Sequence, residues 1–275
     1  MIKLKKCKQL NPSLLAGLTI IIVISVLAFI PGAFTHYNPT DIASDSILKA
    51  PSDLHLFGTD NFGRDIFSRV IYATRIDVMI GIFSVLIPFI IGTTLGLISG
   101  YYGGKIDSLI MRTVDIFMAF PYMVLAIAIV AIEQAGLWAL FLSMWLVSWK
   151  EYARLIRSEV LVVKNAEYVE AAKVLAYSDF RIITRSILPN VLSSAIIYAA
   201  SDVVMCMLSG AAMSYLGLGV QAPTPEWGAI ISGGKAFLST AWWITIFPGI
   251  FLVVTGFGFS LIGDGLSDIL RKGRA

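Results

Sequence analysis

Asp202 interrupts a run from Ser186 to Pro225 that otherwise holds no charged residue. A carboxylate in such surroundings is costly to keep from water. It ordinarily faces a protein interior or a water-filled path, where it can pair with a cation, relay a proton or guide a solute. Met205 and Cys206 follow at i+3 and i+4, so a helix would set them on the same face. The plainer reading is packing, the usual role of Met and free Cys. One carboxylate, one thiol and thioethers do not make a metal site by number or ligand type, and none is expected. His36 and His55 share one polar segment without further ligands at metal spacing. Gly233-Gly234-Lys235 lacks the preceding spacing and the following Ser or Thr of a phosphate-binding loop, so no ATP or other cofactor is expected on this chain. Gly263-Asp264, with Asp115 or Asp202, would suit an intramembrane aspartyl protease only if two carboxylates shared a proton in one site. The expectation is that the chain is not an enzyme, with that protease as an alternative.

The elements that must position these groups follow from composition. Of 275 residues, 57% are apolar and only 14% charged, and the mean hydropathy is +0.81. A water-soluble domain is nearer one quarter charged. The chain therefore reads as an all-α, polytopic membrane protein. Two cysteines, Cys7 and Cys206, exclude a disulfide framework, and the net charge of +3 does not suggest a nucleic-acid partner. Crossing a bilayer takes about 20 mostly apolar residues. The charge-poor runs fit six spans, near 13–33, 79–100, 116–133, 136–150, 188–209 and 241–263. The first apolar run is too long for a signal peptide, and no small-residue cleavage site follows it. Lys and Arg concentrate before the first span, between Lys150 and Arg185, and after the last. That bias places both termini in the cytoplasm. Residues 1–77 form an N-terminal segment with the first span and an external loop; residues 78–270 form a core of five helices. Trp242 and Trp243 suit an outer aromatic belt, and Pro121 and Pro248 suit kinks within spans.

The internal segment 150–190 is too long for a turn. Glu170-Ala171-Ala172-Lys173 is good helix material, and Val169, Ala172 and Leu175 or Ala176 recur at helical spacing. Small side chains at Ala171 and Ala172 would let a partner approach closely. Pro189 suits the first turn of the next span. A short amphipathic helix braced between two spans can pass a push from a soluble partner into the membrane.

Glu170-Ala171-Ala172, then Ala176, then Ser186-Ile187-Leu188-Pro189 resembles the EAA loop of ABC importer permeases. Ala176 stands where that family usually has Gly, and Ser186 where peptide-type members often have His. Ala at this position argues that no positive φ is needed there. Phe57-Gly58-Thr59-Asp60-Asn61-Phe62-Gly63-Arg64-Asp65-Ile66-Phe67-Ser68-Arg69 is similar to the GTD-x-x-GRD-x-x-SR signature of the dipeptide/oligopeptide/nickel permeases. Met111-Arg112 with Asp115 and Phe120-Pro121, Ser214-Tyr215-Leu216-Gly217-Leu218-Gly219, Pro223–Gly228 and Gly263-Asp264-Gly265 match the same family in order. The resemblance implies the type I ABC importer permease fold in the bacterial inner membrane. It implies a "C" permease paired with a homologous "B" permease, two ATP-binding subunits and an external binding protein. It assigns ATPase coupling to Glu170, Ala171, Ala172, Ala176, Leu188 and Pro189, and a translocation path near Asp202, Met205 and Cys206. The cargo would be di- or oligopeptides, or nickel or a metal chelate, since an acidic residue near 202 resembles nickel-type members. The GTD-GRD segment reads as local structure or a contact with the partner permease. A secondary transporter or channel working without an ATPase is the alternative; it would favour internal inverted repeats, and none is visible.

Overall fold

The computed structural model describes residues 11–272. Cys7, the lysines at 3, 5, 6 and 8, and Arg274 lie outside the described residues. Within them the regular elements are helical, apart from one isolated bridge between Thr59 and Asp65.

Helix α1 (Pro12–Phe29) starts where the Asn11 side chain accepts the Ser13 amide and Pro12 fills the first turn. A loop then leads to α2 (Ile66–Tyr102), whose N-cap Asp65 accepts the Ser68 amide at 2.8 Å. At 37 residues α2 is about 55 Å long, more than the roughly 30 Å hydrocarbon layer. Residues 66–77, expected in the external loop, are therefore its first turns, and the division expected at 77/78 falls inside it. Gly103 and Gly104, both at positive φ, turn the chain into α3 (Gly104–Met118). The third expected span is not one rod. It breaks at 119–121, and α4 (Tyr122–Glu133) leaves at 85° to α3. Pro121, which cannot continue a helix from the preceding turn, sits at the break.

Helix α5 (Leu137–Val163) runs past the expected end at 150 because its second half carries Lys150, Glu151, Arg154 and Arg157 on a helix that continues beyond the apolar stretch. The segment between spans holds α6 (Glu167–Val174) and α7 (Asp179–Ile182), then a wide π turn, Ile183–Ile187, that runs into α8 (Leu188–Tyr215). Pro189 is in the first turn of α8, as expected. Its missing N–H and bulky ring are accommodated by the widened turn before it. Helix α9 (Trp227–Gly234) lies in the segment before α10 (Trp243–Lys272).

By length and composition α1, α2, the run Asp179–Tyr215 and α10 can cross a bilayer, and the bent α3–α4 pair is a fifth candidate. The fourth expected span, 136–150, falls in α5, which Lys150, Glu151 and Arg154 keep out of those candidates, and the first expected span runs four residues past the end of α1 at Phe29. Exposed large apolar side chains along α1, α2 and α10 (Ile22, Val23, Ile82, Leu86, Val253 and Phe257 among them) suit a lipid-facing surface; others are exposed in the loop before α2, on α3 and around α6.

The closest packing joins α2 to α5. Gly92, Gly96 and Gly100 form one stripe at four-residue spacing. A β-carbon there would lie 2.3 Å from the Trp149 carbonyl oxygen, 2.6 Å from that of Ala153 and 2.7 Å from Val160 Cβ, respectively. Small residues at this spacing let helix backbones touch, which is how helices bind one another where lipid supplies no hydrophobic drive.

A buried carboxylate and a docked surface helix

Asp202 lies on α8 and is only 8% exposed. Its Oδ2 accepts the phenolic proton of Tyr152, itself fully buried on α5, at 2.8 Å. Tyr152 is fixed by edge-on contacts with Tyr198 (4.8 Å) and Phe89 (5.8 Å). Asp202, Met205 and Cys206 line one cavity of about 230 Å³ with Tyr122, Ser148, Glu151, Tyr198 and Ser209. The three expected path residues thus share one wall, with Cys206 buried and Met205 open. Lys150 sits beside the cavity, 3.4 Å from Glu151, and donates to the Val147 carbonyl. One cation against two carboxylates leaves the chamber acidic. No group of three or more His, Cys, Asp or Glu among the described residues could hold a metal ion.

The residues expected to face an ATPase lie on two sides of α6, just past its end at Ala176, and at the start of α8. Val169 and Ala172 are buried in one cluster with Leu97 of α2, Ile156 and Val160 of α5, Val191 and Ala195 of α8, and Ile182 and Ile187. Glu170 and Ala171 are exposed, as are Ala176 and Pro189, and Leu188 packs against the cluster's edge. Two expectations need correction. The inward face ends at Ala172: Leu175 is 64% exposed, and Ala172 faces the chain's own core, so Ala171 alone of the pair is open to a partner. The helix stops before Leu175, which removes that residue from the helical register.

Ala176 has φ +56°, against the expectation of an ordinary φ. The Ala176 amide bonds the Lys173 carbonyl at 2.9 Å, and the Tyr177 amide bonds that of Ala172 at 3.2 Å. Those two bonds make a Schellman cap, which demands a left-handed residue between them. The satisfied carbonyls hold Ala in a conformation that Gly adopts freely. The next residues are anchored too: Tyr101 Oη of α2 donates to Asp179 Oδ1 at 2.6 Å.

The GTD-GRD segment is a tight loop bonded within itself and to its surroundings. Gly58 and Gly63 both have positive φ. Asp60 accepts the Phe62 and Arg64 amides at 2.8 and 3.0 Å and the Arg64 Nε at 2.7 Å. Trp243, expected in an aromatic belt, is instead 6% exposed and donates Nε1–H to the Thr59 carbonyl at 3.1 Å; Trp242 stays exposed. His55 bonds Asp65 at 2.9 Å, so it serves the cap of α2.

Sequence reasoning missed Tyr152, the glycine stripe and α9. Helix α9 is capped by Glu226, whose carboxylate accepts the Gly228 and Ala229 amides at 2.9 and 2.7 Å, while Asp77 of α2 accepts the Trp227 amide at 3.0 Å. Burial, opposed by the two amide donors, raises the Glu226 carboxyl above its ordinary range. The stripe was legible as G-x-x-x-G-x-x-x-G; the Tyr152–Asp202 pair, fifty positions apart, was not.

A helical membrane bundle with an acidic inner chamber and a capped helix at one end is the architecture of a transport permease. Residues 92–274 match the family of binding-protein-dependent transport system inner membrane components, and the chain belongs to that family of ABC importer permeases. Its members are transport proteins, not enzymes, and they work with a companion permease, an ATPase and a binding protein. The chain is 42% identical to the dipeptide transport system permease protein of Alkalihalophilus pseudofirmus, over 96% of this chain and 87% of that one. It is 39% identical to the glutathione transport system permease protein of Pectobacterium atrosepticum, over 93% and 85%. It is 36% identical to the oligopeptide transport system permease protein of Bacillus subtilis, over 94% and 85%. A chain of the MetNI methionine ABC transporter, in an inward facing conformation, superposes with a TM-score of 0.62 at 16% identity, covering 74% of this chain and 95% of that one. That likeness is one of fold.

Proposed function

We propose that this chain forms half of the path of a short-peptide importer and is driven by a separate ATPase through α6. One observation carries the reading: α6 exposes Glu170 on one side and keys Val169 and Ala172 into the inner ends of α2, α5 and α8 on the other. A displacement of α6 therefore strains the cluster that it shares with the inner ends of those helices, because a close-packed core passes on strain and does not absorb it. The Asp202 chamber, with Met205 and Cys206, lines the route, and the companion permease supplies the facing wall. Both termini lie on the ATPase side. The three relatives above are named for dipeptide, glutathione and oligopeptide transport, which favours peptide over nickel or a metal chelate as cargo.

The test compares a strain lacking this gene with its complemented parent, using labelled dialanine, trialanine and nickel. Complementation is expected to restore peptide uptake and leave nickel unchanged. Restoration of nickel alone would overturn the cargo assignment.

A further inference from the structure

Helix α3 carries two acids and two bases, and they are used differently. Asp107 holds Arg157 of α5 with both oxygens, at 2.5 and 2.6 Å, and Asp115 holds Arg154 at 2.5 Å. Lys105 and Arg112 have no ion-pair partner among the described residues, and both are exposed. They stand seven residues apart on the side away from α5, with Leu109 and Ile116 between and beyond them at helical spacing. Leu109 is 70% and Ile116 62% exposed. A groove of about 530 Å³ opens between the two cations, lined by Gly104, Lys105, Ser108, Leu109 and Arg112.

The chain leaves the spanning helix α2 at Tyr102, turns at Gly103 and Gly104, runs through α3 and then bends 85° into the apolar α4. With α4 inserted along the membrane normal, α3 lies nearly in the membrane plane, at the boundary where α2 ends. Alternating cations and large aliphatic side chains on one face suit a surface that is anionic above and hydrocarbon below. An acidic protein partner would match the cations and leave Leu109 and Ile116 without apolar cover.

We propose that α3 is a membrane-surface helix that binds the phosphate headgroup of an anionic phospholipid between Lys105 and Arg112, with Leu109 and Ile116 set into the acyl boundary. It anchors the inner end of α5 through the Asp107–Arg157 and Asp115–Arg154 pairs, and that of α2 through Ser99, whose hydroxyl donates to Asp107. Each cation near an anionic bilayer contributes about a five-fold preference, so the pair gives about 25-fold.

The test is native mass spectrometry of the full chain in its assembly, in detergent doped with phosphatidylglycerol or phosphatidylcholine. The unaltered protein is expected to bind phosphatidylglycerol about 25-fold more tightly. Lys105→Gln and Arg112→Gln should each lose about five-fold, the double variant should approach parity, and Lys105→Arg/Arg112→Lys should keep the preference. An unaltered protein that binds both lipids equally overturns the proposal whatever the variants do. So does a Gln variant that keeps its preference, or one that keeps it and instead sheds a protein subunit.

Discussion

Gly96→Ala adds one methyl group in the middle of the α2–α5 contact. The new β-carbon would lie 2.6 Å from the Ala153 carbonyl oxygen, 2.9 Å from Ile156 Cβ and 3.1 Å from the Arg157 amide nitrogen. Two of those three neighbours are backbone, so no side-chain rotation relieves the clash, and the helices must part by several tenths of an ångström. Overpacking of this kind costs about 1–3 kcal/mol. Gly249 on α10 is the control, because a β-carbon there meets nothing within 4 Å. Gly249→Ala should be neutral or stabilising by up to about 1 kcal/mol, since Ala favours helix over Gly. The assay is thermal unfolding of the purified protein in one detergent, followed by near-ultraviolet circular dichroism. At about 2–4 °C per kcal/mol for a chain of this size, Gly96→Ala should fall by roughly 2–12 °C and Gly249→Ala should not fall. Equal midpoints for the two variants would refute the stripe as the contact that joins these helices.

Ala176→Gly should stabilise α6 by several tenths of a kcal/mol to about 1 kcal/mol, since a left-handed Ala costs about 1–2 kcal/mol and Gly returns part of that as chain entropy. Slower hydrogen exchange of the Ala176 and Tyr177 amides would confirm it, and faster exchange would contradict the cap. Tyr152→Phe leaves the Asp202 carboxylate without its buried donor and should cost about 1–3 kcal/mol in thermal unfolding. Asp202→Asn keeps an acceptor for Tyr152, so it should fold near normally and yet reduce peptide uptake. Loss of stability without loss of transport in Asp202→Asn would make that residue structural.

How much of this was legible in the chain depends on the range of the interaction. Charge-free runs located the helices because a bilayer reads composition over about 20 residues. Their ends were misplaced wherever charged residues belong to a spanning helix. Arg69 and Asp77 lie buried within α2 because they are bonded to the Pro39 carbonyl and the Trp227 amide, contacts no local pattern reveals. Val169, Ala172 and Glu170 were readable because helical spacing sorts them into two faces. The conformation of Ala176 was not, because residue type argued one way and the two capping bonds decided the other. Met205 and Cys206 were placed beside Asp202 by spacing alone, whereas Ser148 and Glu151 reach the chamber, and Tyr152 reaches Asp202, only through the packing of α5 on α8.

The central claim is that α6 transmits the work of a separate ATPase, and it is tested most directly at Glu170. In vesicles containing the whole assembly with its binding protein, Glu170→Trp should leave ATP hydrolysis running while peptide uptake per ATP falls at least about ten-fold, a change of roughly 1.4 kcal/mol in coupling. Uptake per ATP equal to that of the unaltered protein would contradict the account.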